Sequence, residues 1–257
     1  MSQENVEALG IRQRRSQRAF YRAIAGGSPR AELLGIDGVQ ATLVPVREWF
    51  SIFNSVFYDQ PDELARAYPE LAARYAALGV KAWTVWVPPN DSQAGSILQG
   101  RGHVLDSTPM LFAASISSLD IEPKMKLDID PNATWELVGK INDRAHGVLD
   151  EWSMAAVFET MNDPESHLHI ARLNGAPVSA LIAREHDGDC YFWFVATAPE
   201  AQGRGIASEL MRHALRGAVQ RGCTTSSLES TKVAEAMYEH LGYKPFGRYE
   251  MWEWRTE

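Results

Sequence analysis

Gln202-Gly203-Arg204-Gly205-Ile206-Ala207-Ser208 has the residue types and spacing to grip an anion. It follows an apolar, strand-like run from Tyr191 to Thr197 and a stop at Pro199, and it leads into a helical pattern. Glycine has no Cβ, so the backbone there can turn sharply and approach a ligand closely. The first amides of the following helix lack intrahelical acceptors and lie at the positive end of its dipole. Phosphates bind at such helix starts. The order strand, glycine turn, helix therefore predicts a phosphate-bearing cofactor at residues 202 to 208.

Three kinds of glycine-rich turn compete for this segment. A nucleotide phosphate loop ends in Gly-Lys-Ser or Gly-Lys-Thr, but here Gly205 is followed by Ile206 and Ala207. A dinucleotide fingerprint needs a third small apolar residue and an acidic residue about 20 positions on. Ser208 and Thr225 stand at those places. The remaining pattern is Gln-x-x-Gly-x-Ala at Gln202, Gly205 and Ala207, preceded by Val195-Ala196-Thr197 and Pro199. This resembles the acyl-CoA-binding segment of the GNAT acetyltransferase superfamily.

The elements that must position the turn follow the same order. Ile206, Leu210, Met211, Ala214, Leu215 and Ala218 share one face at helical spacing, opposite Glu209, Arg212, His213 and Arg216. Gly222 ends that helix, and Thr224 to Leu228 reads as a short strand. A second helix spans Lys232 to His240, closed by Gly242, with strands near 243–247 and 249–254. The segment Ala236 to Tyr243, with Tyr238 four residues before Gly242, is similar to the family's last-helix signature. Two matches about 35 residues apart are more specific than one.

The resemblance implies an acetyl-CoA-dependent N-acetyltransferase acting on a primary amine of a small molecule, peptide or protein. It implies that the backbone of Val195, Ala196 and Thr197 pairs with the pantetheine arm. It also implies that the amides of residues 203 to 208 bind the diphosphate, with Gln202, Ser230 and Thr231 nearby. Tyr238 takes the place of the general acid that protonates the leaving thiolate. Ser230 and Thr231 also have the types of helix caps. CoA carries roughly four negative charges, which Arg204 above all, with Arg212, Arg216 and Lys232, is expected to balance.

The base is less legible. An alkyl ammonium with a pKa of about 10.4 is neutral in only about one molecule in two thousand at pH 7. Many family members carry a glutamate on the strand before the glycine turn, but Tyr191-Phe192-Trp193-Phe194 has no carboxylate. Glu229 and Glu159 are the remaining candidates, and neither is singled out. Glu185, His186, Asp187 and Asp189 read as a solvated hairpin tip. A CoA-binding sensor or scaffold without turnover is the alternative function.

The whole chain is consistent with a folded α/β protein. Its 257 residues are 45% hydrophobic with a net charge of −8. A packed core is feasible, and general nucleic-acid binding, which needs basic surface, is not expected. No apolar run approaches a membrane span. The start, Met-Ser-Gln-Glu-Asn, lacks a basic-then-apolar leader pattern. Cys190 and Cys223 both fall in strand patterns without metal-ligand spacing, so reduced thiols in the cytoplasm and no bound metal are expected. Oligomeric state is open, a homodimer included.

The first half repeats the second. A helix at 62–78 ending at Gly79, a strand Ala82–Val87, a helix at 93–99 before Gly102 and two strands within 103–117 parallel the order after Val219. This predicts two tandem GNAT-like domains, each a mixed, mostly antiparallel sheet flanked by helices. The expected spans are 1–118, a linker at 119–126, and 127–257. The copy lacks the glycine cradle, having Tyr58-Asp59-Gln60-Pro61-Asp62-Glu63 instead, and so is expected to support the fold and wall the acceptor pocket. A leading helix at about 3–25 carries Arg12, Arg14, Arg15, Arg18 and Arg22 on what reads as a solvated face, with Leu9, Phe20 and Ile24 docked. In the second half, helices are expected at 134–145 and 154–161, then a hairpin around Asn174-Gly175.

Overall fold

The computed structural model describes residues 3–148 and 153–256. Helix α1 (Gln3–Gly27) opens the chain. Strands β1 (Glu32–Ile36), β2 (Val39–Leu43) and β3 (Ser55–Tyr58) follow, then α2 (Pro61–Ala77), β4 (Ala82–Val87), α3 (Ser92–Gln99), β5 (Val104–Ser107) and β6 (Met110–Ser115). The second copy holds β7 (Asp128–Ile129), α4 (Trp135–His146), β8 (Ser166–Leu173), β9 (Ala176–His186), β10 (Asp189–Thr197), α5 (Ile206–Gln220), β11 (Thr225–Ser230), α6 (Glu235–Leu241), β12 (Lys244–Arg248) and β13 (Glu250–Arg255).

Local chemistry sets the helix ends. The Gln60 backbone and Glu63 side chain form a capping box at α2, with Pro61 in its first turn. Thr134 Oγ1 accepts from the Leu137 amide at the start of α4, at 3.2 Å. The glycines that close equivalent elements of the two copies, Gly79 with Gly222 and Gly102 with Gly242, all take positive φ. The same backbone device at matched places bears out the repeat.

The two sheets do not follow the division of the chain. One has the order β1-β2-β3-β4-β13-β5, the other β12-β6-β11-β10-β9-β8-β7. Each copy gives one strand to the other's sheet. Strand β13, from the end of the chain, pairs antiparallel with β4 from Glu250↔Val87 to Arg255↔Ala82. Strand β6, from the first copy, pairs antiparallel with β11 from Thr225↔Ser115 to Ser230↔Met110. Among the described pairings only β3–β4 and β10–β11 are parallel, so both sheets are mixed and mostly antiparallel. The spans 1–118, 119–126 and 127–257 remain our proposal for the residues of each copy, with one strand of each exchanged.

Helix α1 sits between the sheets. Its Phe20, Tyr21 and Ile24 are buried with Phe57 and Trp86 of one sheet and Ile182 and Tyr191 of the other. A second core packs α5 against the outer face of the second sheet, and a third packs α2 against the first sheet.

Several local expectations are corrected. Residues 154–158 form a short 3₁₀ turn rather than a helix to residue 161. Helix α6 begins at Glu235, not Lys232, so neither Ser230 nor Thr231 caps it: Ser230 ends β11 and its hydroxyl donates to Thr231 O at 2.7 Å. Cys223 lies in the turn before β11, buried but outside a strand. Of the acidic group at residues 185–189, Asp187 is exposed at the hairpin tip as expected, but Glu185 and Asp189 are not solvated. Asp189 is buried and accepts from Ser16, Thr225 and Ser227, and Glu185 pairs with Arg221. Burial pushes the Asp189 carboxyl up.

Candidate active site

Strands β10 and β11 run parallel from Asp189↔Thr225 to Phe192↔Leu228 and then part. Strand β10 bulges between Trp193 and Ala196, where Phe194 takes a φ of +52°. Its other edge resumes pairing with β9 at Ala196↔Ala180 and Thr197↔Ser179. Beyond Phe192 the β11-facing edge of β10 therefore has no strand partner, and a polar, extended ligand can pair there.

The open end of this fork is a cavity of about 320 Å³. Val195 lines one side, Ser230 and Thr231 another, and Tyr238 reaches in from α6. Ile52 of the first copy and Met154 add apolar wall. Ala196 and Thr197 continue the edge, where Ser179 Oγ donates to Ala196 O at 3.0 Å.

The glycine turn follows directly. Gln202 Nε2 donates to Thr197 O at 2.9 Å, tying the turn to the strand end. Gly203 and Gly205 have φ of +70° and +75°, a region that L side chains rarely adopt. A Cβ on Gly203 would meet nothing within 4 Å, and one on Gly205 only the Met125 Cε at 3.7 Å, so the bend is open. Helix α5 starts at Ile206. Among the described residues, no protein acceptor takes the amides of residues 203 to 208, Arg204, Ile206, Ala207 and Ser208 included. Six amides without a protein acceptor, beside an open bend at Gly203 and Gly205, suit a diphosphate in number.

The cations expected to help divide into two groups. Arg212 is tied to Asp120 and Glu209, and Arg216 donates to Ile121 O at 2.6 Å. Both are engaged by residues 120–121 and are corrected as ligand cations. Arg204 and Lys232 are exposed and, among the described residues, carry no ion pair.

The carboxylate lining the cavity is Glu229. Tyr191 Oη donates to its Oε2 at 2.5 Å, and Gln13 Nε2 donates to its Oε1. Burial pushes its carboxyl up to about 8, with the Tyr191 and Gln13 hydrogen bonds pulling the other way. Tyr238 is buried, its ring 5.8 Å from that of Phe112. Burial, and then the Glu229 charge, raise its phenol above the ordinary value, so it stays protonated and available as a donor. Glu159 is exposed and outside the cavity. Nothing local to Glu229 ranks it above Glu159 in the sequence, because its partners come from α1 and from β10. Asn142 and His146 of α4 also line the cavity and carried no sequence signal. Trp193 also lines the cavity while packing on Phe20, ring centroids 4.6 Å apart.

Residues 134–243 match the acetyltransferase (GNAT) family. The whole chain is similar in fold to a GCN5-related N-acetyltransferase from Kribbella flavida, with a TM-score of 0.65 and 19% identity over 92% of this chain and 94% of that one. It is also similar to a GCN5-related N-acetyltransferase from Sphaerobacter thermophilus, with a TM-score of 0.61 and 16% identity over 85% and 76% of the two chains. A tandem GNAT protein from the clavulanic acid biosynthesis pathway gives a TM-score of 0.58 and 13% identity over 84% and 78%. Residues 134–243 thus match the GNAT family, and the chain as a whole shares the fold of GNAT proteins, a tandem one included, with a second GNAT-like half before the matched segment.

Proposed function

We propose that the protein transfers an acetyl group from acetyl-CoA to a primary amine. The observation that carries this is the meeting of Glu229 and Tyr238 in one cavity, at a forked strand edge that leads to six uncommitted amides. Acetyl-CoA supplies the activated acyl group. The amides of residues 203 to 208 hold its diphosphate, with Arg204 and Gln202 beside them, and the edge Val195 to Thr197 aligns the thioester. Ser230 and Thr231 form the facing wall.

Glu229 takes the proton from the attacking amine. A carboxylate near pKa 8 is a stronger base than an ordinary one and is better matched to an ammonium. Tyr238 donates its hydroxyl hydrogen to the leaving sulfur. The acceptor enters past Ile52 and Met154, so an amine with an apolar neighbourhood suits the wall better than a polycation. The reading includes a cytoplasmic location, since Cys190 and Cys223 are free thiols.

A second reading is a CoA-binding sensor without turnover. It is favoured by the fact that a carboxyl near pKa 8 is mostly protonated at neutral pH. One experiment separates the two: thermal stabilisation by acetyl-CoA, followed by free-thiol release across a panel of amines. Binding with release supports the transferase. Binding without release from any amine supports the sensor, and no binding removes both.

A further inference from the structure

The first sheet has its own fork. Strands β3 and β4 run parallel only at Ser55↔Thr84 and Val56↔Val85, after which the chain leaves towards α2 and α3. A cleft of about 570 Å³ lies at that open end, between the turns Tyr58–Pro61 and Pro88–Asp91. It occupies the place in the first half that the candidate active site occupies in the second. Its charge comes from another source. No glycine turn precedes α2, and the capping box already engages the Gln60 and Glu63 amides. Instead α1 lays Arg14, Arg15 and Arg18 along the wall.

The charges there do not balance. Arg18 is paired with Asp59 at 2.6 Å and also donates to Tyr58 O. Asp91 accepts from Tyr58 Oη at 2.6 Å and caps α3 through the Ala94 amide. Both carboxylates of the cleft are therefore engaged. Arg14 and Arg15 have no ion-pair or hydrogen-bond partner among the described residues. A second observation points the same way. Gln17 is fully buried with neither side-chain polar atom hydrogen-bonded, and it lines a small void that shares Arg14, Arg18, Tyr58 and Pro88 with the cleft. An unpaired buried amide is costly, so native proteins satisfy it.

We propose that this cleft is a second binding site, for a small polyanion held through phosphate or carboxylate groups by Arg14 and Arg15. Guanidinium forks match both groups in two-pronged geometry. The site is separate from the residue 202–208 turn and independent of acetyl transfer.

The test is calorimetric titration of pyrophosphate and of citrate, at low ionic strength, into the full chain carrying Gly205→Glu. That substitution places a carboxylate in the other anion site. One binding event is expected to persist there. It should weaken about tenfold or more when Arg14→Gln and Arg15→Gln are added, each removing a charge-assisted contact. Arg15 is exposed, so Arg15→Glu alone is expected to fold and to give a comparable loss. Binding of pyrophosphate only assigns a phosphate ligand; binding of citrate only assigns a carboxylate; both assign recognition by charge. Absence of binding to the Gly205→Glu chain, or affinity unchanged by the arginine substitutions, overturns the proposal. Acetyl-CoA affinity, lost with Gly205→Glu and untouched by Arg15→Glu, tells the two sites apart.

Discussion

Gln13 and Glu229 are 216 positions apart, and the amide of the first hydrogen-bonds the carboxylate of the second. Burial raises the Glu229 carboxyl, and the first helix of the chain, through Gln13, pulls it partly back. A donor to a carboxylate favours its charged form. Gln13→Ala is therefore expected to move the acid limb of kcat/KM to higher pH, with little change in the plateau. An unshifted profile would show that Gln13 only packs.

Glu229→Gln should remove that limb, which for the unsubstituted chain is expected near pH 8 under the proposed function. Stability should respond in a defined direction. The folded carboxyl holds its proton to about 8, while the unfolded one releases it near its ordinary value, so the unsubstituted chain loses stability as pH rises through that window. The variant should lose less, measured by urea unfolding at about pH 5 and about pH 9. Parallel curves would mean Glu229 titrates normally.

Tyr238→Phe keeps the ring that packs on Phe112 and deletes the donor. Turnover should fall roughly 10²–10⁴-fold if the hydroxyl stabilises the leaving sulfur, with acetyl-CoA affinity little changed. Thiol release at saturating amine measures this, and full activity takes Tyr238 out of the chemistry.

Gly205→Glu should abolish acetyl-CoA stabilisation of the fold, because it strains a left-handed position and adds a negative charge among the amides. Gly205→Ala separates the two effects: it carries only the backbone strain, of about 1–2 kcal/mol, and should retain measurable binding. Retained affinity in the glutamate variant would mean that the diphosphate lies elsewhere.

His169 has a buried Nε2 without a hydrogen-bond partner, and its ring centroid is 5.4 Å from that of His213. Burial first, then the charges of His213, His167 and Arg221, push it down to about 3. The unfolded chain takes up this proton near pH 6.5 and the folded chain does not, so stability falls as pH drops from about 6.5 towards 3. His169→Phe should flatten that acid limb in thermal melts. An identical acid slope would assign it to other groups.

What the sequence disclosed was local. Gly203, Gly205 and Tyr238 sit in short signatures whose backbone demands can be read in place, and paired glycines such as Gly79 and Gly222 betrayed the repeat. Glu229, the base we propose, is hard to rank from sequence because its surroundings come from Gln13 and Tyr191. Asp189 looked solvated because its hydroxyl partners Ser16, Thr225 and Ser227 are distant in sequence. The exchange of β6 and β13 left no trace either, since a strand has the same alternating pattern whichever sheet receives it.

That exchange also orders the protein's birth. The sheet begun by the earliest residues stays open between β4 and β5 until Glu250–Arg255 has cleared the ribosome. Each half lacks one stave until the other is in place. Heating that loosens one half tears a strand from the other, so the molecule should melt in one step although its chain was built from two.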